Sequence, residues 1–201
     1  MYRISGRDGS VIWKHPLQQP SKMNRIIGSS MQVHIMNDTL ICVVLEHTFY
    51  VLRRSDGKEL WHYAVILTPA QQAETRASIG DVFFDKNQVY VDFSSGEIAA
   101  MDMQNGALKW KEVKFPDGAS FYANDGTLYA ETFTAAGPVL YAFDGATGKE
   151  RWHFKPEMWG NSAFGPPSVI NGVLYDGGNP LYALDARTGK KLWEQRLPDR
   201  S

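Results

Sequence analysis

The chain has 201 residues, 21 basic and 22 acidic, for a formal net charge of −1, with 43% hydrophobic and 12% aromatic residues. That balance supplies a core but no basic surface for nucleic acid or an anionic membrane, and no apolar run approaches the roughly 20 residues that span a bilayer. The single cysteine, Cys42, excludes an intrachain disulfide and a cysteine-based metal cluster, and within the apolar run 40–45 it reads as a buried structural thiol.

The chain opens on a short hairpin, residues 1–14, with Asp8-Gly9 at its corner and Trp13 in its second strand. Met1-Tyr2-Arg3-Ile4 leads straight into it without a basic segment and an apolar stretch, so no signal peptide is expected. As written, the sequence points to the cytoplasm; a longer native N-terminus would leave an extracytoplasmic location open. Four longer repeats follow, at about 31–65, 79–114, 119–154 and 167–197, each parsing into four strands, A to D, by alternation bounded by turn residues. The expected strands are 31–36, 39–45, 49–53 and 59–65; then 79–84, 88–93, 97–102 and 108–114. The last two repeats use 119–123, 127–133, 139–143 and 150–154, then 167–170, 173–175, 181–184 and 191–197. The A–B corners Asn37-Asp38, Lys86-Asn87, Asp125-Gly126 and Asn171-Gly172 are short and polar, as tight hairpins require.

One spacing runs through all five segments. Trp13, Trp61, Trp110, Trp152 and Trp193 each stand four residues after a glycine, Gly9, Gly57, Gly106, Gly148 and Gly189, at separations of 48, 49, 42 and 41 residues. A turn-former precedes every glycine (Asp8, Asp56, Asn105, Thr147, Thr188), marking a corner where glycine takes a positive φ at little cost. Self-similarity at this period in strand-rich sequence indicates stacked four-stranded units of the propeller type. The expected fold is all-β: one repeat array over 1–201, a partial or open β-propeller with a two-stranded N-terminal half blade and four complete four-stranded antiparallel blades. Because the array starts and ends on a C–D hairpin, no A–B pair remains for the first blade. Its free edges call for the remainder of a propeller or for self-association through the open ends.

The fuller pattern Ala-x-Asp-x-x-x-Gly-x-x-x-Trp resembles the tryptophan-docking motif of quinoprotein-type, or PQQ-like, β-propeller repeats. Ala183, Asp185, Gly189 and Trp193 match it, as do Ala142, Asp144, Gly148 and Trp152, and Ala100, Asp102, Gly106 and Trp110. The second segment keeps Gly57 and Trp61 but has Val51 and Arg53, and the first keeps Gly9 and Trp13 with Arg3 and Ser5. No Trp-Asp dipeptide supports a WD40 array. The resemblance implies that each tryptophan packs between adjacent blades, that the alanine leaves room for the indole, and that aspartate and glycine fix the turn. These are structural rather than catalytic roles.

Relatives with this repeat include quinone-dependent dehydrogenases. For those the resemblance implies a disulfide of adjacent cysteines beside the quinone, a Glu/Asn/Asp set around calcium or a lanthanide, and an aspartate base. One cysteine cannot form that disulfide, and the candidate oxygen ligands Glu131, Asn161 and Asp176 lack the spacing. Nor do His15, His34, His47, His62 and His153 show metal-ligand spacing; His62 and His153 recur as the residue after a repeat tryptophan. With no Gly-x-Ser-x-Gly elbow either, no catalytic residue, cofactor or metal is expected.

The D–A connections 14–30, 66–78 and 155–166 are long and unlike one another, and the B–C connections 134–138 and 177–180 also differ. Variable loops on a regular scaffold are where binding surfaces sit. A protein partner is therefore expected on the rim formed by D–A and B–C loops, with Trp159, Met158 and Asn161 as candidate contacts and His47, Glu74 and Arg76 beside them, the alternative for Trp159 being that it folds back to plug the funnel. The expected function is a non-catalytic propeller scaffold or binding module. A similar use is seen among relatives in the propeller lipoprotein of an outer-membrane assembly machinery, although no lipoprotein signal or cysteine stands at the start of this chain. A fragment or degenerate relative of a PQQ-dependent dehydrogenase, and a ligand-sensing propeller of a larger protein, are the alternatives.

Overall fold

Short alternating segments punctuated by glycine and asparagine corners favour strands over helices, and the chain folds accordingly. The computed structural model describes residues 1–16, 31–37, 40–45, 48–65, 79–93, 96–113, 115, 119–135, 137–157, 167–177 and 179–196. All regular structure among them is β. A two-stranded sheet pairs β1 (Tyr2–Ile4) with β2 (Val11–Lys14). Four antiparallel meanders follow, each of four strands in chain order. They are β3 (Met31–Ile35) to β4 (Leu40–Leu45), β5 (Thr48–Arg53) and β6 (Glu59–Ala64); and β7 (Ile79–Asp85) to β8 (Gln88–Phe93), β9 (Glu97–Asp102) and β10 (Leu108–Val113). The others are β11 (Ser120–Asn124) to β12 (Thr127–Thr134), β13 (Gly137–Asp144) and β14 (Glu150–Phe154); and β15 (Ser168–Ile170) to β16 (Val173–Asp176), β17 (Leu181–Asp185) and β18 (Lys191–Gln195).

Two compact units divide the chain: residues 1–79 with 104–106, and residues 80–103 with 107–201. In the first, Trp13, Tyr50 and Leu52 form a buried cluster with Met1 against it, and the Phe49 ring meets the Trp61 ring edge-on at 5.4 Å. In the second, one cluster joins Tyr90, Ile98 and Ala100 to Phe121, Leu128 and Phe143. Another joins Tyr129, Leu140 and Trp152 to Leu174, Tyr182 and Leu184. Side chains of consecutive sheets thus share each core, so a sheet is stable only against its neighbour.

The corners explain the register. At the β11–β12 and β15–β16 turns, Asp125 and Gly126 (φ 48 and 77°) and Asn171 and Gly172 (φ 51 and 77°) are both left-handed, the two-residue geometry that matches strand twist. Each C–D corner is wider: the N–H of Gly9, Gly57, Gly148 or Gly189 donates to the carbonyl four residues earlier at 2.8–2.9 Å. Past each of these corners the register slips by one residue, as between Ala142↔Trp152 and Phe143↔Glu150. The same bulge recurs in all five C–D pairs. A one-residue slip sends a side chain to the other face, so this bulge sets the face from which each indole projects. It was not apparent in the residue pattern.

In two of the B–C connections the strand pairing reaches close to the loop, with Thr134 opposite Gly137 and Leu45 opposite Thr48. The segment expected at 134–138 is mostly strand, because β-branched and aromatic residues continue the ladder to the turn.

Candidate functional site

The residues singled out by the repeat converge on the C–D corners. A Cβ built on Gly57 would lie 2.5 Å from Trp13 Cδ2, one on Gly106 2.6 Å from Trp61 Cε3, one on Gly148 2.9 Å from Trp110 Cδ2, and one on Gly189 2.6 Å from Trp152 Cδ2. Each of these glycines therefore lies beneath the indole of the preceding repeat, where any side chain would collide. The indole N–H completes the contact. Trp13 Nε1 donates to the Arg54 carbonyl at 3.0 Å, Trp110 Nε1 to Gly145 at 2.8 Å, and Trp152 Nε1 to Ala186 at 3.2 Å. All three acceptors stand three residues before the glycine, so one corner receives both the face and the edge of the ring.

A second donor reaches two of these carbonyls, which the residue pattern did not reveal. Gln88 Nε2 donates to Gly145 O at 2.8 Å and Tyr129 Oη to Ala186 O at 3.3 Å. The recurrence of tyrosine three residues after the A–B glycine or asparagine (Tyr90, Tyr129, Tyr175) was the available signal. Burial pushes the Tyr90 and Tyr129 phenols above their ordinary range.

The ends of the series differ. Gly9 takes the same φ, 74°, but nothing lies within 4 Å of its added Cβ. Trp193 is 43% exposed, whereas Trp13 and Trp152 are 8% and 9% exposed.

Carboxylates fix the corners. Asp144 Oδ1 accepts from the Thr147 N–H at 3.0 Å and its hydroxyl at 2.9 Å, and Asp185 Oδ1 does the same with Thr188 at 2.8 and 2.7 Å. Where the repeat has Ser5 or Arg53 instead, the aspartate before the glycine takes over: Asp8 Oδ1 accepts from Ser10 N–H at 3.0 Å and Asp56 Oδ1 from Lys58 N–H at 3.0 Å. Hydrogen bonds from Arg151 and Thr147 hold the Asp144 carboxyl below its usual range, and those from Thr188 do so for Asp185. The backbone and hydroxyl of Ser10 lower Asp8, and the Lys58 N–H lowers Asp56.

Two of the candidate oxygen ligands, Glu131 and Asp176, are carried by β12 and β16. Both are buried in the second unit, and among the described residues Glu131 Oε2 and Asp176 Oδ1 have no hydrogen-bond partner. Burial, with the Asp176 charge adding to it, pushes Glu131 up to about 8, and burial pushes Asp176 up to about 6. Among the described residues no three His, Cys, Asp or Glu side chains gather as metal ligands. Two carboxylates without a third ligand, and one cysteine, do not fit a quinone–metal centre of the kind the repeat's dehydrogenase relatives carry.

His62 Nδ1 donates to Glu59 Oε1 at 2.7 Å and His153 Nδ1 to Glu150 Oε1 at 2.8 Å, a surface pair repeated on the strand after the second and fourth C–D corners. Trp159, Met158, Asn161, His47, Glu74 and Arg76 all lie outside the described residues.

Consecutive four-stranded antiparallel meanders, repeating one C–D corner in which a glycine lies under a tryptophan, define a repeat array of the β-propeller class. The family model described as outer membrane protein assembly factor BamB matches residues 1–124 and 116–201, so the chain belongs to this PQQ-like repeat family. No curated protein sequence matches it. BamB from Moraxella catarrhalis superposes with a TM-score of 0.64 at 19% identity, over 94% of this chain and 54% of that one. The computationally designed Ika8 protein gives 0.67 at 16% identity, over 93% and 52%. Quinohemoprotein alcohol dehydrogenase from Comamonas testosteroni gives 0.61 at 18% identity, over 84% and 35%. The fold is thus that of a partial propeller, and the chain spans about half the length of the BamB structure it matches.

Proposed function

We propose that the chain is a non-catalytic propeller scaffold that binds a protein partner. The observation that carries this reading is the use made of the repeat signature. Trp13, Trp61, Trp110 and Trp152 are each laid on the glycine of the following repeat, which supports a docking role for the tryptophans and glycines rather than a chemical one. The description of the matched family as an outer membrane protein assembly factor favours a protein partner in such assembly. The contacts proposed for it are Trp159, Met158 and Asn161, with His47, Glu74 and Arg76, on the loop rim.

Trp159→Ala is expected to leave the melting temperature within about 2 °C of wild type while abolishing photo-crosslinking of a protein partner from the neighbouring position 161. A large loss of melting temperature with crosslinking intact would place the residue in the core and end the rim assignment. The likeness of the fold to a quinohemoprotein alcohol dehydrogenase favours one second reading, a piece of a quinone-dependent dehydrogenase. A rise in melting temperature on adding pyrroloquinoline quinone with calcium would support it, since only a folded-state site is stabilised by its ligand.

A further inference from the structure

Two asparagines of the chain precede glycine, in Asn105-Gly106 and Asn171-Gly172. A glycine has no side chain to shield its backbone nitrogen, so in such a pair that nitrogen can attack the amide carbon of the asparagine before it. Whether it does so in the folded chain depends on what holds the two groups, and the corners differ in this.

The β11–β12 and β15–β16 corners share one geometry, with φ of 48 and 77° at Asp125-Gly126 and of 51 and 77° at Asn171-Gly172. The first is held on both sides. Its Gly126 N–H donates to the Asp85 carboxylate, and Lys86 Nζ pairs with Asp125 Oδ1 at 2.7 Å. At the second corner Asn171 and Gly172 are both exposed, and nothing lies within 4 Å of a Cβ built on Gly172. Among the described residues neither the Asn171 side chain nor the Gly172 N–H has a hydrogen-bond partner. Lys86 holds the place of Asn171 in the β7–β8 corner, at the same φ of 51°, and its side chain is 59% exposed even with the next corner paired to it. The place is thus open in a repeat that has a successor. Asn105 is differently situated, since Gly106 lies beneath the Trp61 indole, whose Cε3 is 2.6 Å from an added Cβ.

We infer that Asn171 is a site of spontaneous deamidation, with water as the only co-reactant, and that the isoaspartyl product loosens the seat of Trp152. The Gly172 nitrogen gives its proton to solvent base and bonds to Asn171 Cγ. The Cγ–Nδ2 bond breaks, ammonia leaves with protons drawn from solvent, and a succinimide ring remains. Water then opens either C–N bond of the ring. Cleavage at Cγ leaves aspartate in an ordinary backbone. Cleavage at the α-carbonyl leaves isoaspartate, with the chain running through the side chain and one carbon longer. Aspartate suits the corner, as Asp125 shows at φ 48°. The longer backbone does not suit a two-residue turn closed by the pair Ile170↔Val173. The Gly172 carbonyl accepts the Ala186 N–H at 2.9 Å, and the Ala186 carbonyl accepts the Trp152 indole N–H at 3.2 Å. Distortion of the turn therefore reaches the indole through two hydrogen bonds.

The test is incubation of the full chain at mildly alkaline pH, folded and in guanidinium chloride, with each asparagine followed by peptide mass spectrometry. Enzymatic methyl transfer detects the isoaspartate. Position 171 should convert in the folded chain within about tenfold of its rate in the denatured one, because a surface turn opens locally at little cost. Position 105 should be slowed by more than that, its glycine being packed under a ring. Folded-state protection of Asn171 equal to or greater than that of Asn105 overturns the assignment. Asn171→Asp should melt within about 2 °C of wild type, whereas the isoaspartyl fraction, separated by ion exchange, should melt lower. An isoaspartyl fraction that melts with wild type overturns the link to Trp152. Neither result bears on the scaffold reading, since no partner contact enters the measurement.

Discussion

The same residue type does two different things here, and its surroundings decide which. Trp152 is buried over Gly189, with its N–H on the Ala186 carbonyl. Trp193 occupies the identical place in its own strand pair, opposite Ala183 as Trp152 is opposite Ala142, yet stands 43% exposed. Trp152→Ala should cost about 3–5 kcal/mol, the range for emptying a buried aromatic site, whereas Trp193→Ala in dilute solution should cost less than about 1 kcal/mol. Chemical denaturation of the two variants measures the difference, and equal losses would contradict the packing described. The glycines and tryptophans were legible in the sequence because their spacing is local. Which indole meets which glycine was not, since that contact joins successive repeats. The substitution of Asp8 and Asp56 for the missing motif aspartates was likewise hidden: the carboxylate moves along the turn, but the N–H it satisfies stays near the corner.

At the scale of the element, the C–D corner couples a turn to a neighbouring sheet. The strands were readable from alternation, and β8, β9 and β14 begin and end where the pattern places them. The bulge after each corner was not, because a one-residue slip leaves the composition of a strand unchanged while reversing its faces. Gly9 and Gly189 allow the turn and the contact to be separated. Both are at φ of 70–74°, but only Gly189 has an indole, at 2.6 Å from an added Cβ. Gly9→Ala should therefore show the backbone strain alone, on the order of 1 kcal/mol. Gly189→Ala adds displacement of Trp152 from its seat, for a total on the order of 3 kcal/mol. Comparable losses in the two variants, measured by denaturant unfolding in dilute solution, would show that the glycine serves the turn only.

At the scale of the whole molecule, a near-neutral net charge suggests little dependence on pH, yet the buried carboxylates predict one. Burial raises Glu131 to about 8, Asp176 to about 6 and Asp92 to about 6, with Asp176 adding to the first and Asp81 to the last. All three lie in the unit formed by residues 80–103 and 107–201. In each, the folded chain retains a proton that the unfolded chain has already released above about pH 4. Their contribution is therefore fully present below that value and is lost as pH rises through about 6 and then about 8. The corner carboxylates Asp8, Asp56, Asp144 and Asp185 act in the opposite sense, since their lowered values make stability fall as pH drops through the acid range. The two groups together place the most stable condition at mildly acid pH, about 5, with a decline toward pH 9. Glu131→Gln removes the costly buried charge without changing side-chain size, so it should raise the melting temperature at pH 9 and leave it nearly unchanged at pH 5. A substitution effect equal at both values would mean that Glu131 carries the same charge in the folded and unfolded chain, and the pH dependence would then have to originate in other groups.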